Sequence, residues 1–74
     1  MKTFTYGTTH RAEAERGIEI LVNEAMTFTF VHEIRGGTDW YLIKIKFPFV
    51  SMAEMFWQDF NRKAKARFAL GYRR

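Results

Sequence analysis

The stretch MTFTFVHEIRGGTDWYLIKIKF, residues 26–47, decides the fold. Up to Arg35 it has a period of two, with Met26, Phe28, Phe30, His32 and Ile34 on one side and Thr27, Thr29, Val31, Glu33 and Arg35 on the other, as a half-buried strand requires. Gly36-Gly37-Thr38-Asp39 interrupts the run with a hairpin signal. The chain returns with Tyr41, Ile43, Ile45 and Phe47 on one face and Trp40, Leu42, Lys44 and Lys46 on the other. It stops at Pro48, which has no amide to continue a ladder.

Upstream, residues 1–6 alternate in the same way, with Phe4 and Tyr6 on one side and Thr3 and Thr5 on the other, so a further strand is expected before Gly7. From Arg11 the spacing turns helical: Ala14, Ile18, Leu21 and Ala25 share one face. Thr8 or Thr9 is placed to cap that helix, and Glu13 and Glu15 suit the positive end of its dipole. Gly17 lies beside the apolar stripe and costs the helix roughly 1 kcal/mol relative to alanine, which points to a close approach to the sheet.

Downstream, Ser51 and Glu54 have the spacing of a capping box, with Val50 and Met55 as its hydrophobic staple. A second helix is expected from Met52 to about Leu70, turning Ala53, Phe56, Trp57, Phe60, Ala64 and Phe68 inward and ending at Gly71.

These elements give an α+β fold of order β-α-β-β-α, a two-layer sandwich with a three-stranded antiparallel sheet in the order 1-3-2 and two helices on one face. It is a ferredoxin-like half, lacking the last strand of that unit. One domain is expected over residues 1–71, with 72–74 as a basic tail. The expected sheet side of the core is Phe4, Tyr6, Phe28, Phe30, Ile43, Ile45 and Phe47.

A chain of 74 residues has room for one core, and with no cysteine it must be held by packing. Eight Phe, two Trp and three Tyr provide the means. Absence of cysteine and of a signal-like or spanning apolar run leads to the expectation of a cytoplasmic protein that does not enter a membrane. The net charge of +4 is unevenly spread, because residues 61–74 hold Arg62, Lys63, Lys65, Arg67, Arg73 and Arg74 and no acid. Such a cluster suits contact with phosphates, although a solvated basic helix end gives the same pattern.

Catalytic signals are sparse. His32 stands in the inward register without a nucleophile at a recognisable position, and its ordinary reading is a core or rim residue. His10 and His32 sit on separate elements, which is no metal signature. Glu13 and Glu15 have salt-bridge spacing to Arg16 and Arg11. Gly36-Gly37 is too short for a phosphate loop. No cofactor, metal or enzymatic activity is expected.

The sheet face away from the helices is expected to carry Trp40, Leu42 and Val31 as an apolar patch facing water, with Lys44 and Lys46 beside it. The competing reading is that Trp40 folds over the hairpin end to fill a gap. In size, lack of cysteine and simple α+β order the chain is similar in profile to small stoichiometric inhibitors carried by phages and mobile elements, anti-CRISPR proteins among them. The leading expectation is a non-catalytic protein that docks on a protein or nucleoprotein partner, or on a second copy of itself, through the open sheet face and an edge strand. The second is direct nucleic-acid binding by the C-terminal cations, aided by Lys44 and Lys46. The third is a small enzyme using His32.

Overall fold

The strand Lys2–Thr8 (β1) lies inside the sheet, with a neighbour on each side. The computed structural model describes residues 1–72, Tyr72 by its backbone. β1 pairs antiparallel with Thr38–Phe47 (β3) and with Ala69–Tyr72 (β4), while Thr29–Arg35 (β2) pairs antiparallel with the far side of β3. The order is β2-β3-β1-β4. The expected succession 1-3-2 is contained in it, and the strand thought to be missing is present at the β1 edge.

That fourth strand was hidden because Phe60, Ala64 and Phe68 have helical spacing. The second helix, Val50–Ala64 (α2), ends six residues before the expected Leu70. Lys65 turns left-handed at φ 50°, and Arg16 of the first helix, Arg11–Asn23 (α1), donates to the carbonyls of Ala64 at 2.7 Å and Lys65 at 3.0 Å. These are carbonyls that a helix end leaves without partners. Asn61 then grips the extended segment, accepting from the Phe68 amide at 2.8 Å and donating to its carbonyl at 3.2 Å. The Trp57 indole donates to the same carbonyl. Phe68 is thereby inserted into the core from a strand lead-in, and Tyr72, read as tail, belongs to β4.

Both helices cover one sheet side. Phe4, Tyr6, Ile43 and Ile45 from the sheet meet Leu21 of α1, Ala53, Phe60 and Ala64 of α2, and Phe68. Tyr6 is wholly buried, edge-on to Phe56 and Phe60, and its hydroxyl donates to the Ala53 carbonyl at 2.9 Å. Each such buried side chain contributes about 1.5–3 kcal/mol. Phe28 and Phe47 are half-buried against this core, whereas Phe30, expected within it, is exposed. The helices pack over β1 and β3 and leave the β2 margin bare.

Three local expectations change. Gly17 makes its close approach to α2 and the segment after it: a Cβ there would lie 2.7 Å from the Phe60 ring and 3.0 Å from that of Phe68. The Ser51–Glu54 capping box does not form, because α2 starts two residues earlier, with Val50 drawn against the core and Phe49 as N-cap without a side-chain bond. At α1 the N-cap is His10, and Thr8 acts from two residues before it, accepting from the His10 amide at 3.1 Å and donating to Glu13 at 2.6 Å.

Gly17→Ala should therefore lower stability despite better helix propensity, by about 1–2 kcal/mol, because overpacking two stacked rings outweighs the gain; urea titration measures it. Tyr6→Phe should cost about 1 kcal/mol at neutral pH. Burial holds the Tyr6 phenol well above its ordinary pKa. The unfolded chain therefore ionises it first, and its contribution, complete below about pH 10, is lost as pH rises further. The stability gap between wild type and Tyr6→Phe should shrink between pH 9 and pH 11 in thermal melts.

Candidate functional site

On the sheet face away from the helices, β1 presents Thr3, Thr5 and Gly7, and β3 presents Lys46, Lys44, Leu42 and Trp40. Gly7 lies opposite Leu42. A Cβ on Gly7 would sit 2.9 Å from a Leu42 methyl and 3.5 Å from the Trp40 ring, so both side chains lean over the bare backbone of β1. Leu42, expected to face water, is only 5% exposed, and Trp40 and Val31 are half-buried. Without a side chain at position 7, the chain covers much of this patch itself. What remains is a shallow recess of about 170 Å³ bordered by Trp40, Leu42, Ala69 and Gly71.

Lys44 and Lys46 lie further along β3, with Leu42 between them and the indole; Trp40 and Lys46 are six residues apart, about 20 Å along a strand. The structure does not gather them into one stacking and charge-binding site. The two lysines border a separate hollow of about 520 Å³ with Thr3, Thr27, Phe28 and Thr29.

The C-terminal cations are partly committed to neighbours. Arg62 pairs with Asp59, and Lys63 bridges Glu24 at 2.8 Å and Asp59 at 3.0 Å. The hydrogen bonds from Lys63 and Arg62 hold the Asp59 carboxyl below its usual range, and those to Glu24 and Asp59 hold the Lys63 ammonium above its own. Lys65 is exposed at the α2 C-cap, and Arg67 borders a recess with Thr8, His10, Glu13 and Trp40. Arg73 and Arg74 lie outside the described residues.

The feature that the alternation did not disclose is the helix-facing side of β2. Phe30, His32 and Ile34 point toward the helix layer, in register with Ile43, Tyr41 and Asp39 of β3, but no helix reaches over them. Phe30 is 41% exposed and Ile34 71%. The His32 imidazole stacks on Tyr41 with ring centroids 4.8 Å apart and lies 2.9 Å from Asp39. Phe30 is stacked with the same Tyr41 at 6.4 Å. Between this ledge and Arg11, Ala14, Glu15 and Ile18 of α1 runs a groove of about 350 Å³. A period of two gives the face of a strand but not its place in the sheet, so Phe30 reads as core and Ile34 as sharing its inward face.

Chemically, the ledge offers stacked rings, aliphatic surface and one histidine–aspartate pair. Among the described residues no group of three or more His, Asp or Glu could hold a metal ion, and no helix is long and apolar enough to cross a membrane. Compared with known proteins, the chain matches no family model, no curated protein and no solved structure.

Enlarging residue 7 should displace the indole. In a Trp57→Phe background, which isolates Trp40 emission, Gly7→Val is expected to shift the fluorescence to longer wavelength and to cost about 1–3 kcal/mol in a urea melt.

Proposed function

We propose that this protein is a non-catalytic binding protein that acts by docking on another polypeptide, a partner protein or a second copy of itself, and that its docking surface is the β2 margin with the Phe30–His32–Ile34 ledge. We read the architecture as a complete ferredoxin-like split β-α-β unit. The observation that supports the reading is the exposure of Phe30 and Ile34 on a strand whose outer backbone groups have no neighbouring strand among the described residues. Large apolar side chains beside an unpaired edge are costly in water and favour association. The half-buried Trp40 and the covered Leu42 make the opposite face a weaker candidate. A protein of this kind works by stoichiometric occupancy, as the small inhibitors of similar profile do.

Contact with nucleic acid through Lys44, Lys46, Lys65 and Arg67 is the second reading. It draws on cations that form no ion pair among the described residues, in contrast to Arg62 and Lys63.

A photo-cross-linking amino acid placed at Ile34, Lys46 or Lys65 in the producing cell separates the two. The expected result is a discrete protein adduct from position 34, suppressed by excess unlabelled wild type but not by Ile34→Lys. Adducts to nucleic acid from positions 46 or 65, with none from position 34, would replace this reading by the second.

A further inference from the structure

We propose that the partner of the β2 edge is a second copy of the chain, the two β2 strands pairing antiparallel about a two-fold axis at His32 to make one continuous eight-stranded sheet from two four-stranded ones. This rests on the binding reading above and specifies its partner.

The hairpin fixes which backbone groups are free. Gly36 at φ 55° and Gly37 at φ 78° form a two-residue primed turn closed by the pair Arg35 and Thr38. In such a turn the closing pair exchanges hydrogen bonds, and bonded pairs then recur at every second residue. Arg35, Glu33, Val31 and Thr29 therefore spend their amides and carbonyls on β3. Those of Phe30, His32 and Ile34 point away from the sheet, on the residues whose side chains form the ledge.

A two-fold axis normal to the sheet keeps like faces together, so it can pass only through a register that sets residues of the same face opposite one another. With His32 opposite His32 of the second copy, Phe30 faces its Ile34 and Ile34 faces its Phe30. All three outward residues are then used, for about six main-chain hydrogen bonds. Sliding the pairing by two residues either way leaves one of them opposite a residue beyond the strand. The same register buries Phe30 and Ile34 against each other twice, removing the most exposed apolar surface of the margin.

Nothing in β2 guards against this. Edge strands are ordinarily blunted by lysine, proline, a bulge or a covering helix. β2 runs seven residues in unbroken register with none of these in it, and α1 stands back over β1 and β3. Its only formal charges cancel, since Arg35 holds Glu33 at 2.6 Å, so two copies of a chain of net charge +4 meet at a neutral strip. On the far face Val31 would lie opposite Glu33 and Thr29 opposite Arg35, with no like charges juxtaposed. The other margin, β4, is four residues long and contains Gly71.

Sedimentation equilibrium of the purified protein should give a dimer, weakened at least roughly 100-fold by Ile34→Lys, because a two-fold interface loses the contact twice. Cysteine cross-linking reads the register in a chain that has no cysteine. His32→Cys should oxidise to a covalent dimer, the bonded-pair Cα separation of about 5.5 Å being within disulfide reach. Phe30→Cys and Ile34→Cys should each fail alone, their own copies being about 13 Å apart along the strands, yet link to one another when mixed. A chain that stays monomeric at millimolar concentration overturns the proposal. So does a dimer that survives Ile34→Lys unchanged and does not link through His32→Cys. If the chain is monomeric while position 34 still cross-links a foreign protein, the binding reading stands and only the self-pairing falls; loss of both removes both.

Discussion

The architecture hangs on the way Tyr6 is held at the centre of the sheet. Its ring is packed edge-on by Phe56 and Phe60, its hydroxyl is bonded to the α2 backbone, and its own backbone lies between β3 and β4. The rings continue outward, Phe56 to Phe47 and Phe60 to Phe68, so one aromatic column joins β1, β3, α2 and the β4 lead-in. Gly17 lets α1 close on the end of that column, and Arg16, its neighbour, ties off α2. With no disulfide available, this column and its two clamps do the stapling that a domain of this size needs.

The same arrangement explains why β2 is bare. Two helices anchored on Phe4, Tyr6, Ile43 and Ile45 are centred over β1 and β3, and this placement leaves the outer part of β2 uncovered. The shortfall falls on β2, where it leaves Phe30 and Ile34 in water and His32 laid flat on Tyr41. Exposure of the ledge follows from where the core is anchored.

Much of the fold was legible from residues 26–47 and the two amphipathic stretches. The hairpin, both helices, the face of every strand residue from Phe28 to Phe47 and the neighbours of β3 follow from periodicity and turn chemistry. The fourth strand was not legible, because Phe68 at helical spacing from Phe60 and Ala64 looks like one more turn, and the bonds from Arg16 and Asn61 that end α2 come from contacts remote in sequence. The candidate site was harder still. Trp40 and Leu42 stood out by hydrophobicity on the far face, but their exposure depends on Gly7, a residue of another strand. Phe30 looked like core, and Ile34 shared its inward face, because nothing local to β2 says how far the helices extend.

The central position of β1 also governs when the fold can exist. β2 and β3 meet through a two-residue turn, so they can pair as soon as both have left the ribosome, whereas β1 must wait for β3 and then for β4, which follows α2. Until then the nascent hairpin displays two bare margins, and the one that β1 will later occupy carries the same backbone invitation as the one that stays open. Synthesis rate and chaperone access during that interval would decide whether a young chain finds its own first strand or that of a neighbour emerging beside it.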